Sequence, residues 1–353
     1  MPRMSLQDAS FLSLESDLTP THITMMMTFR FPAAAPTNYI AQLRAHLRRF
    51  PVRAAPFNYL LVPTSSTRPP NWDVADAVDL DYHLRHHRLP GPGGERELGE
   101  VVSNLHSQQL DQTRPMWELH LIESRTLPKF WLCLKIHHAM ADGMSMVHIM
   151  ERMFVKSASG KGRPPWAVVH ASKAPTAAGT SGQNEWRQFF EGLIKGTGKR
   201  SLHKEQPSPR GPRTALNGPI TGRRRFATQN LSLARVKALA RAADATVNDV
   251  VLAICSGALR SFLQEYDKLP ERSLVAGIPI AVPHNQSQRS GNSVGGLIVS
   301  LASDITDLRL RLATIRGSTQ AAKSRNSRLP AAVSRTFSAL GNYMMSARSP
   351  DTS

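Results

Sequence analysis

Residues 131–154, "WLCLKIHHAMADGMSMVHIMERMF", decide the fold, because an apolar strand runs directly into two histidines and then into a helix. Side chains alternate faces along a strand, so Ile136 and His138 are predicted to share one face with Leu132 and Leu134, opposite His137. A histidine at the end of an apolar face is partly desolvated, which favours the neutral imidazole that accepts a proton. His138 is therefore a candidate general base, although a satisfied core histidine gives the same pattern.

Asp142 and Gly143 follow the histidines and precede a stretch with helical spacing of apolar residues. Asp142 is predicted to cap this helix and to fix the loop that orients His138. A metal site needs at least three converging ligands, and His137, His138, Asp142 and His148 are the nearby candidates. Because strand alternation sends the two histidines to opposite faces, the pattern disfavours a metal.

Outward from this stretch, the first part of the chain alternates strand-like and helix-like segments. "HITMMMTFRF" (22–31), "MWELHLIES" (116–124) and "KFWLCLKIHH" (129–138) are predicted strands, and "NYIAQLRAHLRRF" (38–50) is a predicted helix. Residues 1–155 are therefore predicted to form a mixed α/β (α+β) domain.

Residues 156–220 are rich in Gly, Pro, Ser, Ala and Lys, which is typical of a crossover linker. Within it, residues 186–200 have the apolar stripe of an amphipathic helix, suited to a core or to a membrane surface. Residues 221–353 are predicted to form a second α/β domain. Its elements are expected to be a strand at 224–234, a helix at 246–266, strands at 273–282 and 295–304, and two helical stretches after them.

The composition limits the partners and the compartment. The 353-residue chain has 44 Lys and Arg against 26 Asp and Glu, a net charge of +18, so its surface attracts anions. Its two cysteines, Cys133 and Cys255, lie in apolar runs and predict neither a disulfide framework nor a cysteine zinc site. No uncharged apolar run approaches about 18 residues, so we expect a cytoplasmic protein with at most peripheral membrane contact.

Several motifs together resemble one family. "HHAMADG" (137–143) resembles the HHxxxDG motif of coenzyme A dependent acyltransferases, which include chloramphenicol acetyltransferase and the condensation domains of peptide synthetases. "SLQDASFLSLES" with "PTHI", "RPMWELHLIE", "LNGPITGRRRFA", "TVNDVVLA" and "GNSVGGLIVSL" resemble, in order along the chain, segments of the bacterial wax ester synthase/diacylglycerol acyltransferase family. The resemblance implies a two-domain chloramphenicol acetyltransferase-like fold.

The resemblance also implies a reaction and a base. His138 matches the catalytic histidine of the motif, and His137 is a neighbour of uncertain role. His138 would deprotonate the hydroxyl of a diacylglycerol or a long-chain alcohol, whose oxygen attacks the thioester of acyl-CoA. Acyl-CoA is then a co-substrate, and no cofactor or metal is expected. The one Gly-x-Ser-x-Gly pattern, at residues 291–295, precedes a predicted strand instead of joining a strand to a helix, so no nucleophile elbow is predicted, in agreement with direct transfer.

Residues of the second domain are candidates for substrate binding. Asn248 matches the family's Asn-Asp motif and could donate to an oxyanion, but it and Asp249 could equally cap a helix. Gly291 and Asn292 could bring backbone close to the substrate or form a turn. Arg223 and Arg224 could bind the phosphates of coenzyme A or belong to a solvated face.

The sequence departs from the family pattern at its end. The family's Ser-Asn-Val-Pro-Gly-Pro-like segment is not found before the chain ends in "LGNYMMSARSPDTS", so we expect an incomplete second domain. The alternative function is a catalytically weak or inactive member that binds lipid or acyl-CoA. A nucleic-acid binder is disfavoured because the cations form no recognition motif.

Overall fold

The computed structural model of the chain describes residues 4, 6–62, 70–141, 146–147, 149, 151, 153–155, 163–167, 211–266, 268–281 and 294–327. The chain divides into two compact units. The first contains the described residues up to 167 together with Thr221–Thr228, and the second contains residues 211–220, 229–281 and 294–327. The sequence begins the second domain at residue 221, whereas the contacts group Thr221–Thr228 with the first unit.

The first unit is built around a mixed sheet. Its elements are, in chain order, α1 (Leu6–Leu14), β1 (His22–Arg30), α2 (Tyr39–Leu47), β2 (Tyr59–Val62), β3 (Asn71–Val74), α3 (Leu80–His83), β4 (Leu84–Arg88), α4 (Glu95–Ser107), β5 (Trp117–Glu123) and β6 (Lys129–His137). Strands β1, β6, β5 and β4 form the sheet in this order. Strand β6 is antiparallel to both of its neighbours, and β4 is parallel to β5. Strands β2 and β3 form a separate antiparallel pair.

The two faces of β6 enter different apolar clusters, as the alternation of its side chains requires. Leu134 and Ile136 belong to the main core, together with the fully buried Trp117. The indole nitrogen of Trp117 donates to the Phe57 carbonyl at 2.8 Å, so this buried side chain leaves no polar atom unsatisfied. Cys133 lies on the other face, in the smaller cluster that α4 covers. Strand β6 is therefore buried on both faces, and its last residue is His137.

Helix α4 approaches the segment Thr221–Thr228 closely. A Cβ atom added to Gly99 would stand 2.8 Å from the Phe226 carbonyl oxygen, which is closer than carbon and oxygen atoms pack. Glycine lets the two backbones come together here. The same segment is tied to the loop after α1, because the guanidinium of Arg224 donates to the Leu18 carbonyl.

The second unit combines helices with a two-stranded sheet. It contains α5 (Leu233–Ala242), α6 (Val247–Tyr266), β7 (Val275–Ala281), β8 (Val294–Ser300) and α7 (Leu308–Ser327). Strands β7 and β8 are antiparallel, with Val275 opposite Ser300. No helix in the described part of the chain could cross a membrane by itself. Helices α5 and α6 together have the length and composition to do so, but they are bent by 101° relative to each other.

Most of the predicted elements are confirmed with ends that differ by at most four residues, but one is wrong. The strand predicted at 224–234 is absent: residues 224–232 have no strand structure, and α5 begins at Leu233. The side chain of Ser232 accepts a hydrogen bond from the Arg235 N–H, so the end of the predicted strand is in fact a helix cap. The second helical stretch predicted after 304, and the amphipathic helix at 186–200, lie outside the described residues.

Candidate active site

His137 is the last residue of β6 and is completely buried. Its Nδ1 atom accepts a hydrogen bond from the Ala139 N–H at 3.1 Å, and its Nε2 atom lies 3.0 Å from the hydroxyl oxygen of Thr21. The Thr21 hydroxyl in turn donates to the Phe11 carbonyl at 2.9 Å. The ring therefore joins the turn after β6 to the segment between α1 and β1.

A carboxylate completes the surroundings of His137. The Oε2 atom of Glu15 lies 3.4 Å from His137 Nε2 and accepts a hydrogen bond from the Gln112 amide at 2.8 Å. The Oε1 atom accepts the Thr21 N–H at 3.1 Å. Burial raises the pKa of Glu15, but His137, the Thr21 N–H and Gln112 outweigh it and leave the pKa below its ordinary value. Glu15 is therefore held as a carboxylate.

His138 lies just beyond the strand, in the turn that His137 begins. Its backbone N–H donates to the Thr21 carbonyl at 3.0 Å, and its half-buried ring stacks on Phe11 with centroids 4.0 Å apart and planes 14° apart. The sequence predicted opposite faces for the two histidines of a continuing strand. The structure separates them differently, because β6 ends at His137 and His138 is presented by a turn.

The remaining parts of the motif are only partly described. Asp142 and Gly143 lie outside the described residues, so the capping and loop-fixing roles of Asp142 stay predictions. His148 is also outside them. Among the residues that the structure does describe, no group of three His, Cys, Asp or Glu side chains is arranged to hold a metal ion.

A layer of buried polar side chains extends from His137 along the same face of the sheet. Lys135, only 1 % exposed, donates to the Gln108 carbonyl and lies 3.9 Å from the Glu118 carboxylate. His120 Nε2 is 3.1 Å from Glu118, and its Nδ1 is 3.0 Å from His87 Nε2. Because a carboxylate only accepts, His120 donates to Glu118 through Nε2.

Burial shifts the pKa values in this layer. It lowers the pKa of Lys135, although the Glu118 carboxylate opposes this shift. It lowers the pKa of His22 to about 3 and that of His87 to about 4, and neighbouring cations and histidines add to these two shifts. Burial also raises the pKa of the Cys133 thiol to about 12. Cys133 is therefore inert, whereas Cys255 on α6 is exposed.

The second-unit candidates Asn248 and Asp249 differ in their surroundings. Asn248 is exposed in the first turn of α6. Asp249 is buried, and its carboxylate accepts from the Thr246 N–H at 2.9 Å, the Thr246 hydroxyl at 2.7 Å and the Thr319 hydroxyl at 2.7 Å. These contacts cap α6 and join it to α7, which is the structural alternative that the sequence left open for Asp249.

The arginine candidates are on the segment grouped with the first unit. Arg224 donates to the carbonyls of Thr221 at 2.6 Å, Arg223 at 3.1 Å and Leu18, so its guanidinium holds the backbone of this segment. Arg223 is exposed. Gly291 and Asn292 lie outside the described residues, and their role in substrate binding stays a prediction.

Sequence reasoning missed the residues that surround the two histidines. Phe11, Glu15 and Thr21 lie in "SLQDASFLSLES" and "PTHI", which the sequence had marked only as family-like segments. Their role depends on the pairing of β1 with β6, which places His22 opposite His137. The available signal was the presence of polar residues just before the strand predicted at 22–31.

The chain is similar to known proteins over most of its length. Residues 4–251 match the family described as the wax ester synthase/diacylglycerol acyltransferase catalytic domain. The O-acyltransferase WSD of Acinetobacter baylyi is 32 % identical over 340 residues, covering 91 % of this chain and 72 % of that protein. The solved wax ester synthase/diacylglycerol acyltransferase of Marinobacter aquaeolei is 34 % identical, with a TM-score of 0.74 over 96 % of this chain and 75 % of that one.

More distant structures share the fold alone. The SgcC5 protein of Streptomyces globisporus is 15 % identical, with a TM-score of 0.53 over 96 % of this chain and 76 % of that one. The first condensation domain of the calcium-dependent antibiotic synthetase has the same TM-score at 16 % identity, over 94 % of this chain and 77 % of that one. These matches confirm the predicted acyltransferase fold. The family match and the Acinetobacter and Marinobacter relatives show that the chain belongs to the wax ester synthase/diacylglycerol acyltransferase family.

Proposed function

We propose that this acyltransferase moves a long-chain acyl group from acyl-CoA to the hydroxyl of a diacylglycerol or of a long-chain alcohol. The family match and the names of the Marinobacter and Acinetobacter relatives support these substrates. The observation that carries the mechanism is the turn after β6. It presents the half-buried ring of His138 and encloses the ring of His137 completely.

His138 is proposed as the general base. Its imidazole takes the proton of the acceptor hydroxyl while the alcohol oxygen bonds to the thioester carbonyl carbon. When the tetrahedral intermediate collapses, the carbon–sulfur bond breaks and the imidazolium returns the proton to the coenzyme A thiolate. The products are an ester and free coenzyme A, and the proposed reaction needs no resident cofactor.

The acceptors are lipids, so we further propose peripheral association with the inner face of a membrane or with lipid inclusions. The net charge of +18 supports attraction to an anionic lipid surface.

The mechanism is tested by measuring thiol release from palmitoyl-CoA with hexadecanol or dipalmitoylglycerol. We expect His138→Ala to lower the rate about 10²- to 10⁴-fold, the usual contribution of a general base. His46→Ala, at an exposed histidine on α2, is the matched control and should keep the wild-type rate. Equal rates for His138→Ala and wild type would contradict the mechanism. Acyl-CoA binding without turnover would replace the proposal with the binding-only alternative.

A further inference from the structure

The hydrogen bonds around His137 fix which of its nitrogens carries the proton. Since the Ala139 N–H donates to Nδ1, Nδ1 has a free lone pair, and the neutral ring carries its proton on Nε2. The Nε2–H then points to the Thr21 hydroxyl oxygen, whose own proton is directed to the Phe11 carbonyl. A proton on Nδ1 would face the Ala139 N–H. The two donors would then repel each other, and the turn would open.

Glu15 favours this tautomer from the other side. Its Oε2 atom, 3.4 Å from Nε2, places negative charge where the proton of His137 lies. Its Oε1 atom accepts the N–H of Thr21, whose carbonyl oxygen accepts the backbone N–H of His138. One side chain thus contacts both groups that hold the turn, namely the ring of His137 and the backbone of Thr21.

We propose that Glu15 is a positioning residue: it holds His137 as the Nε2–H tautomer and thereby fixes the turn that presents His138 to the acceptor hydroxyl. The inference rests on the proposed function for its effect on rate. Its structural part, the tautomer of His137, does not depend on turnover.

Glu15→Gln tests the inference because it keeps the shape and replaces the Oε2 acceptor with an amide donor. This donor would face both Gln112 and the Nε2–H of His137. With palmitoyl-CoA and hexadecanol, we expect kcat to fall about 10- to 100-fold, as for a small displacement of a reacting group, while KM for palmitoyl-CoA changes less than about twofold. Asp17→Asn removes an exposed carboxylate from the same loop and is the matched control, with unchanged kcat expected.

A second measurement reads the tautomer directly. In the ¹⁵N-histidine NMR spectrum of the full chain, we expect the wild-type His137 signals of an Nε2–H ring, and altered signals in Glu15→Gln but not in Asp17→Asn. An unchanged kcat, a change confined to KM, or His137 signals that do not respond to Glu15→Gln would overturn the inference. If wild type and His138→Ala both release no thiol, the proposed function fails, and the NMR result alone decides the role of Glu15.

Discussion

At the scale of single residues, the adjacent His137 and His138 have different roles because the strand ends between them. His137 is the last strand residue and is completely buried, with both ring nitrogens in contact with polar atoms of the protein. His138 has left the strand, and one face of its ring is covered by Phe11. A stacked aromatic ring restricts the rotation of the imidazole, so Phe11 should contribute to the precision of proton transfer.

Phe11→Leu keeps an apolar side chain but removes the flat stacking surface. Because aromatic stacking contributes about 0.5–1.5 kcal/mol, we expect kcat to fall about two- to tenfold. Phe29→Leu, at a phenylalanine of β1 stacked on Phe130 instead, is the matched control and should lower the thermal midpoint without lowering kcat. Steady-state kinetics and thermal melts of both variants check this. A kcat of Phe11→Leu equal to that of wild type would show that stacking plays no part.

At the scale of elements, the position of α4 depends on a glycine. The 2.8 Å between an added Cβ of Gly99 and the Phe226 carbonyl oxygen leaves no room for even a methyl group, and backbone rather than a flexible side chain would have to move. Gly317, exposed in α7, has nothing within 4 Å of its Cβ position. Gly99 therefore allows a close backbone contact of α4, whereas Gly317 only lowers the stability of α7.

Alanine at these two positions should have opposite effects. We expect Gly99→Ala to lower the free energy of unfolding by about 1–3 kcal/mol, as overpacking does. Gly317→Ala should raise it by about 0.5–1 kcal/mol through helix propensity. Thermal or urea unfolding followed by circular dichroism measures both. A stabilised Gly99→Ala variant would mean that α4 and the 221–228 segment separate easily.

The elements also show what sequence patterns can and cannot predict. Apolar runs and periodicity predicted β1, β5, β6 and α6. Periodicity failed at 224–234, because alternating polar and apolar residues do not show whether a neighbouring strand is present to pair with them. Helical spacing alone did not separate buried from exposed residues after the histidines. Val147 and Phe154 recur at helical spacing but are 41 % and 47 % exposed, whereas Met146 and Ile149 enter the core. The role of Glu15 could not be predicted from sequence patterns, because it depends on which strands pair in the sheet.

At the scale of the whole molecule, buried ionisable groups couple folding to pH. The pKa values of His22 and His87 fall from an ordinary 6.5 to about 3 and about 4, and burial also lowers those of His83 and His106. Below about pH 6.5, these histidines therefore bind protons in the unfolded chain but not in the folded protein. The same sign holds for Glu15, whose pKa lies below its ordinary value, once the pH falls below 4.5.

We expect the stability of the protein to fall as the pH is lowered from 6.5 towards 4. Each of His22 and His87 should lower the free energy of unfolding by at most about 1.4 kcal/mol per pH unit in that window, because unfolding takes up at most one proton at each. The urea midpoint measured from pH 7 to pH 4.5 should decrease steadily, and His22→Gln should make the decrease shallower. A midpoint that is flat from pH 6.5 to 5 would contradict the burial of these histidines.

The two cysteines differ in exposure, so a thiol reagent can label one of them selectively. A maleimide fluorophore added under native conditions reaches Cys255 and spares Cys133, because the first is exposed and the second is buried with its pKa raised to about 12. One dye then reports on α6 without any engineered site. For the same reason, Ellman's reagent titrates Cys255 before any substrate is turned over. A Cys255→Ser background gives the thiol-release assays a silent baseline.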